Sequence, residues 1–202
     1  MGILRELVEC TDGWSYVGEK RGVRVERRAI GAGPYVSAVD AAKGSKHACV
    51  KSSAVLDASP ESVFQLFADN SRVKEFNEHC LDSQDVHLIP RGLGLVGGGM
   101  GLGAETWTKV AWSATPTYGI FKARDFLSVV NYTKYPNGTY VVLNRPGYLS
   151  SHAPRSRYVR ATILLAGNVI RPHGHNQTLL TTVAQINPGG VSDTPAAAWV
   201  IN

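Results

Sequence analysis

Three cysteines, Cys10, Cys49 and Cys80, are all the thiol chemistry this chain offers, and neither their odd number nor their wide spacing suits a disulfide framework or a metal site. With no signal-peptide pattern ahead of them, they predict a reducing, intracellular, membrane-peripheral protein. No run of about eighteen mostly apolar residues occurs, so no transmembrane helix is expected. Glu6 stands where a myristoylation signal after Met1-Gly2 would place Ser or Thr. Charge is sparse at 18% of residues, and the net excess of +5, which would favour anionic lipid headgroups or nucleic acid, is scattered, which weakens both ideas. The densest basic cluster, Lys20, Arg21, Arg24, Arg27 and Arg28, alternates with Val23 and Val25 as a solvated strand face does. Without a secretory route, the sequons at Asn131, Asn137 and Asn176 read as chance. No internal repeat or domain linker stands out.

What is present is an ordinary globular composition with 44% hydrophobic residues, enough for a single core over residues 1–202. Ile3, Leu4, Leu7 and Val8 recur at helical spacing. From Trp14 to Ile30 the period falls to two and breaks at Arg21-Gly22, predicting a hairpin, and a third strand is expected over 47–56. Ser59-Pro60-Glu61 is a helix start: a capping hydroxyl, a proline suited to the first turn, and an acid at the positive end of the dipole. Val63, Phe64, Leu66 and Phe67 give that helix an apolar face, and a shorter helix is expected over 72–78. Six segments rich in β-branched and aromatic residues follow at 81–90, 104–112, 124–135, 139–145, 158–170 and 178–187. Consecutive strands without intervening helices predict an antiparallel sheet of about nine strands in an α+β fold. Residues from Pro195 onward read as the first two turns of a last helix, cut short at Asn202.

This layout and five local motifs resemble the START (StAR-related lipid transfer) family, in the helix-grip superfamily. The most specific motif is Ala123-Arg124-Asp125-Phe126-Leu127, similar to the family's Arg-Asp-Phe-Val signature. The others are Gly22 to Arg28, Ser59 to Phe67, Tyr158-Val159-Arg160-Ala161 and Asn187-Pro188-Gly189-Gly190. The resemblance implies a helix-grip fold, a curved antiparallel sheet closing around an apolar cavity that holds one lipid without chemistry, no cofactor, and transient contact with a membrane surface. Sterol-carrying relatives hold a buried acid and arginine pair; by motif offset those positions fall near Ala111 and at Val130, both apolar here, which disfavours a sterol against a phospholipid or sphingolipid. In the family the pair Arg124 and Asp125, with Phe126, is structural.

Strand alternation places Trp107, Lys109 and Ala111 on one face and Phe126, Ser128, Val130 and Tyr132 on one face, the first cavity candidates. Motif offset adds Ala161, Ile163 and Leu165. The loop over 112–121 matches the family's lid, so Trp112, Tyr118 and Phe121, with Trp199 near the chain end, are expected at the membrane interface, where amphipathic aromatics settle.

Other signals are set aside. Gly92 to Gly97 fits a dinucleotide pattern, yet Gly97-Gly98-Gly99 would break the helix that must follow. His173 and His175 have no third ligand nearby in sequence. Two alternatives to a lipid carrier stay open: a lipid-gated module of a longer protein, and a helix-grip enzyme that would need Lys109, Tyr132 and His152 to gather in one cavity.

Overall fold

In a computed structural model of the protein, residues 2–28, 47–89, 103–117 and 122–190 are described. Helix α1 (Gly2–Glu9) opens the chain. Strands β1 (Ser15–Lys20), β2 (Val23–Arg28) and β3 (Cys49–Leu56) follow, then helix α2 (Pro60–Ala68), a 3-10 turn (Asn70–Arg72) and the short helix α3 (Val73–Phe76). Strands β4 (Asp82–Ile89), β5 (Glu105–Thr115), β6 (Arg124–Lys134) and β7 (Tyr140–Pro146) come next. A second 3-10 turn (Ser150–His152) leads to β8 (Val159–Arg160), β9 (Thr162–Pro172) and β10 (Thr178–Asn187). The strands form one sheet in the order β1-β2-β3-β10-β9-β7-β6-β5-β4, antiparallel throughout except that β8 pairs parallel with the start of β6.

Local chemistry accounts for the ends of the elements. Ser59 caps α2 by accepting from the Ser62 N–H at 3.2 Å, with Pro60 in the first turn. The β1–β2 hairpin turns through Arg21 and Gly22, both at positive φ, the geometry that a two-residue turn between twisted strands demands. The segment expected as one strand over 158–170 is broken at Ala161, whose N–H donates to Asp125 O at 2.9 Å and separates β8 from β9.

Each face of the sheet carries its own core. On one face, Leu4 and Leu7 of α1 bury themselves against Val141, Leu143, Leu165, Val169, Val183 and Cys49. Burial pushes the Cys49 thiol up to about 12, so it is an inert core residue rather than a nucleophile. On the other, Val63 and Phe64 of α2 pack on Val130, Tyr132, Val142 and Ile170. These are the α1 face and the α2 face below.

Seating of α1 depends on Gly167 of β9. A Cβ there would lie 2.5 Å from Leu4 Cδ2 and 3.2 Å from the Val142 carbonyl oxygen. Because Leu4 is buried, it has little room to yield. Gly167→Ala is expected to cost about 1–3 kcal/mol through overpacking. Denaturant unfolding will show this as a lower midpoint, and an unchanged midpoint would mean that α1 shifts freely.

Candidate functional site

The α2 face is built by simple alternation. Cross-strand pairing sets Trp107 opposite Tyr132, Lys109 opposite Val130, Ala111 opposite Ser128 and Ser113 opposite Phe126. Seven of the sequence-derived candidates, Trp107, Lys109, Ala111, Phe126, Ser128, Val130 and Tyr132, therefore share one face. The rungs continue onto β7 and β9, Val130 facing Asn144 and then Ala166, and Tyr132 facing Val142 and then Asn168. On β10, Leu180, Thr182 and Ala184 extend the face, and Thr182 donates to Asn168 Oδ1 at 2.8 Å.

From Phe126 to Tyr132 this face runs about 20 Å at roughly 3.3 Å per residue. That exceeds the ~15 Å depth of one leaflet's hydrocarbon, half of a core about 30 Å thick. Helix α2 covers only one end. There Phe64 sits edge-on to Trp107 (centroids 5.6 Å apart) and Tyr132 (6.1 Å), and stacks on Tyr140 (4.7 Å). Toward the other end, Ala111, Ser113 and Phe126 are only partly buried.

Charge is confined to the margins. Lys109 is buried, yet its ammonium pairs with Asp85 Oδ1 at 2.8 Å and donates to Ala68 O at 3.0 Å, 5.4 Å from the Tyr132 ring centre. Burial, helped by the Asp85 charge, pushes the Tyr132 phenol up, so it stays neutral. Glu61, in the first turn of α2, accepts from the Tyr140 hydroxyl, and this bond is the main cause that raises Tyr140 to about 12. Across β6, β7, β9 and β10 the polar groups of the central rungs, among the described residues, are neutral: Ser128, Asn144, Asn168 and Thr182. Ala111 and Val130, where a sterol-type charge pair would stand, are diagonal neighbours, and the Lys109–Asp85 pair occupies the same two rungs, Lys109 opposite Val130 and Asp85 opposite Ala111.

Several expected residues lie elsewhere. Ile163 shares the α2 face through its partner Ile186, but a bulge between Gln185 and Ile186 leaves Leu164 unpaired and reverses the alternation. Leu165 is thus turned to the α1 face, beside Leu4 and Leu7. Trp112 does not reach a membrane: β5 continues to Thr115, placing Trp112 mid-strand on the face opposite Ala111, 1% exposed, with its indole N–H donating to Asp125 Oδ2 at 3.0 Å. Tyr118, Phe121 and Trp199 lie outside the described residues, as do the Gly92 to Gly97 pattern and the segment from Pro195. Asp85, Tyr140, Asn144, Asn168 and Ile170 were missed; their membership follows from cross-strand register, which no local pattern encodes.

The motif residues meet at one corner of the sheet. Arg160 grips the fully buried Asp125 with two bonds of 2.9 and 2.8 Å. Burial alone would raise the Asp125 carboxyl, but the bonds from Arg160 and Trp112, with the charges of Arg160 and Arg155, hold it below the usual aspartate range. Arg124 donates to Pro188 O at 3.3 Å, and a Cβ on Gly189 would sit 2.4 Å from Arg160 O, so only glycine fits that turn. Arg124 and Asp125 thus fasten strands together. Beside this corner a recess of about 310 Å³, lined by Leu127, Leu149, His152, Arg160 and Ala161 among others, separates Ala161 from the α2-face group. His152, on the connection between β7 and β8, does not join Lys109 and Tyr132. Among the described residues no His, Cys, Asp and Glu group is placed to hold a metal, and no helix is long and apolar enough to cross a membrane.

Comparison with known proteins completes the picture. The START domain family model matches residues 21–202. The crystal structure of human STARD10 superposes with a TM-score of 0.76 at 19% identity, covering 100% of this chain and 70% of that one. Human StAR-related lipid transfer protein 5 gives 0.74 at 17% identity, over 94% of this chain and 79% of that one. The human StarD13 (DLC2) lipid transfer and protein localization domain gives 0.70 at 16% identity, over 98% and 85%. At such identities the likeness is one of fold. A search of curated protein sequences returned no match.

Proposed function

From the premise that the chain belongs to the START domain family, whose members are lipid-binding and transfer domains, we propose that residues 1–202 act as one domain that lodges a single lipid against the α2 face. The lipid is released unchanged to another membrane, inside the cell. The observation that carries this reading is the face itself: apolar side chains from neighbouring strands, a few neutral hydrogen-bonding groups among them, and its nearest buried cation already paired. Pockets of this character bind amphiphiles through area and orient them through a few polar contacts.

The energetics suit transfer. Burying on the order of 500 Å² of lipid tail is worth roughly 12 kcal/mol at about 25 cal/mol per Å², before ordering costs. A bilayer offers the tail an equally apolar place, so the difference between carrier and membrane stays small and exchange runs both ways. With Ala111 and Val130 apolar, a phospholipid or sphingolipid fits better than a sterol, whose hydroxyl would find the nearby Lys109 ammonium already paired with Asp85.

Native mass spectrometry of the protein after exposure to mixed-lipid vesicles will show one lipid per chain. Ala111→Trp, which sets a bulky ring on the partly buried end of the face, is expected to abolish that adduct while leaving the fold intact by circular dichroism. No adduct with any lipid class, or an adduct unaffected by Ala111→Trp, would overturn the assignment.

A further inference from the structure

The connection over 147–158, between β7 and β8, is a basic strap. From Lys122 to Arg160 the chain holds seven Lys and Arg and a single acid, Asp125, which is wholly buried against Arg160. The strap itself carries Arg155 and Arg157, both exposed, and no acid. Its cations are held in place: Gly147 N–H donates to Leu127 O at 2.8 Å, Val159 N–H to Ala123 O at 2.9 Å, and Arg155 and Arg157 lie 4.7 and 4.8 Å over the rings of Trp112 and Tyr158. Tyr148, on the same strap, is 90% exposed.

The other basic cluster differs. On the β1–β2 hairpin Glu19 and Glu26 interleave with the cations, and Arg24 and Lys51 both pair with Glu26 at 3.0 and 3.2 Å. The hairpin guanidinium that sits over an exposed ring, Arg24 at 5.2 Å over Tyr16, is the one paired with Glu26, so among the described residues the strap alone combines positioned guanidinium groups free of a carboxylate partner with an exposed aromatic ring. Anionic headgroups attract the first, and the headgroup level of a bilayer accommodates the second. The strap also borders the start of β6, at the end of the ligand face that α2 leaves open.

We propose that the strap docks the protein on an anionic bilayer surface, a step that rests on the carrier reading for its purpose but not for its test. Flotation of the whole protein with phosphatidylcholine vesicles, with and without phosphatidylserine, measures it. The wild type will prefer the anionic vesicles. Arg155→Gln with Arg157→Gln will weaken that binding roughly thirty-fold, about five-fold for each cation near such a surface. Arg155→Lys with Arg157→Lys will keep it, and Lys20→Gln with Arg21→Gln on the hairpin will change it little. The preference will vanish in about 1 M salt, where the screening length falls to about 3 Å. Equal binding to both vesicle types, no loss in the glutamine variant, or an equal loss in the lysine or hairpin variant overturns the proposal. A wild type that holds a lipid in solution yet ignores anionic charge refutes the strap alone; one that docks without ever holding a lipid refutes the carrier alone.

Discussion

Replacing Phe64 by alanine will destabilise the protein by about 3–5 kcal/mol, the usual cost of emptying a buried aromatic site. Phe64 is 1% exposed, and its ring meets those of Trp107, Tyr132 and Tyr140. Its loss removes both buried area and the edge-on and stacked contacts, each worth about 0.5–1.5 kcal/mol beyond area. In a chain of this size each kcal/mol moves the melting temperature by roughly 2–4 °C, so a fall of about 6–20 °C is expected by calorimetry. Phe67→Ala, at a half-buried position paired with Phe76, will cost less. A fall below about 1 kcal/mol for Phe64→Ala would show that α2 does not anchor this end of the ligand face.

Asp125→Ala will be of similar size for a different reason. It strands the Arg160 guanidinium and the buried Trp112 N–H without their acceptor, and breaking one side of a buried ion pair costs about 3–5 kcal/mol. Removing both charges, as in Asp125→Leu with Arg160→Met, will recover much of that loss, because the stranded charge disappears with its partner. A pH effect follows. The Asp125 carboxyl is held lower in the folded protein than in the unfolded chain, so its stabilisation is complete above the ordinary aspartate range and drains away as pH falls through the lower folded value. Urea unfolding in an acid series will show wild type losing stability that Asp125→Asn has already lost. Parallel pH profiles for the two proteins would refute this role.

Much of this architecture is legible in the residues taken in order. The Ser59-Pro60 cap, the Arg21-Gly22 turn and the alternation in β5 and β6 are local signals, and each appears in the structure within a residue or two of its expected place. Seven cavity candidates share a face because a strand with unbroken pairing cannot do otherwise. Where pairing is broken, the alternation misleads. Leu165 changes face because Leu164 is an extra residue that β10 does not match, and nothing in Ile163-Leu164-Leu165 marks which of the three is extra. Trp112 moves from an expected lid into the core because β5 runs three residues further than its apolar pattern suggests.

Residue order alone therefore determined the kinds of elements, their sides and the family resemblance, since capping, turn geometry and two-residue alternation depend on neighbours a few positions apart. Tertiary structure decided which side chains meet. The partnership of Asp125 with Arg160, 35 residues away, of Lys109 with Asp85 across a bulged pair, and of Gly167 with Leu4 arises only when strands settle into register. Register is chosen by the summed burial of whole faces, a long-range balance that no short stretch of chain contains.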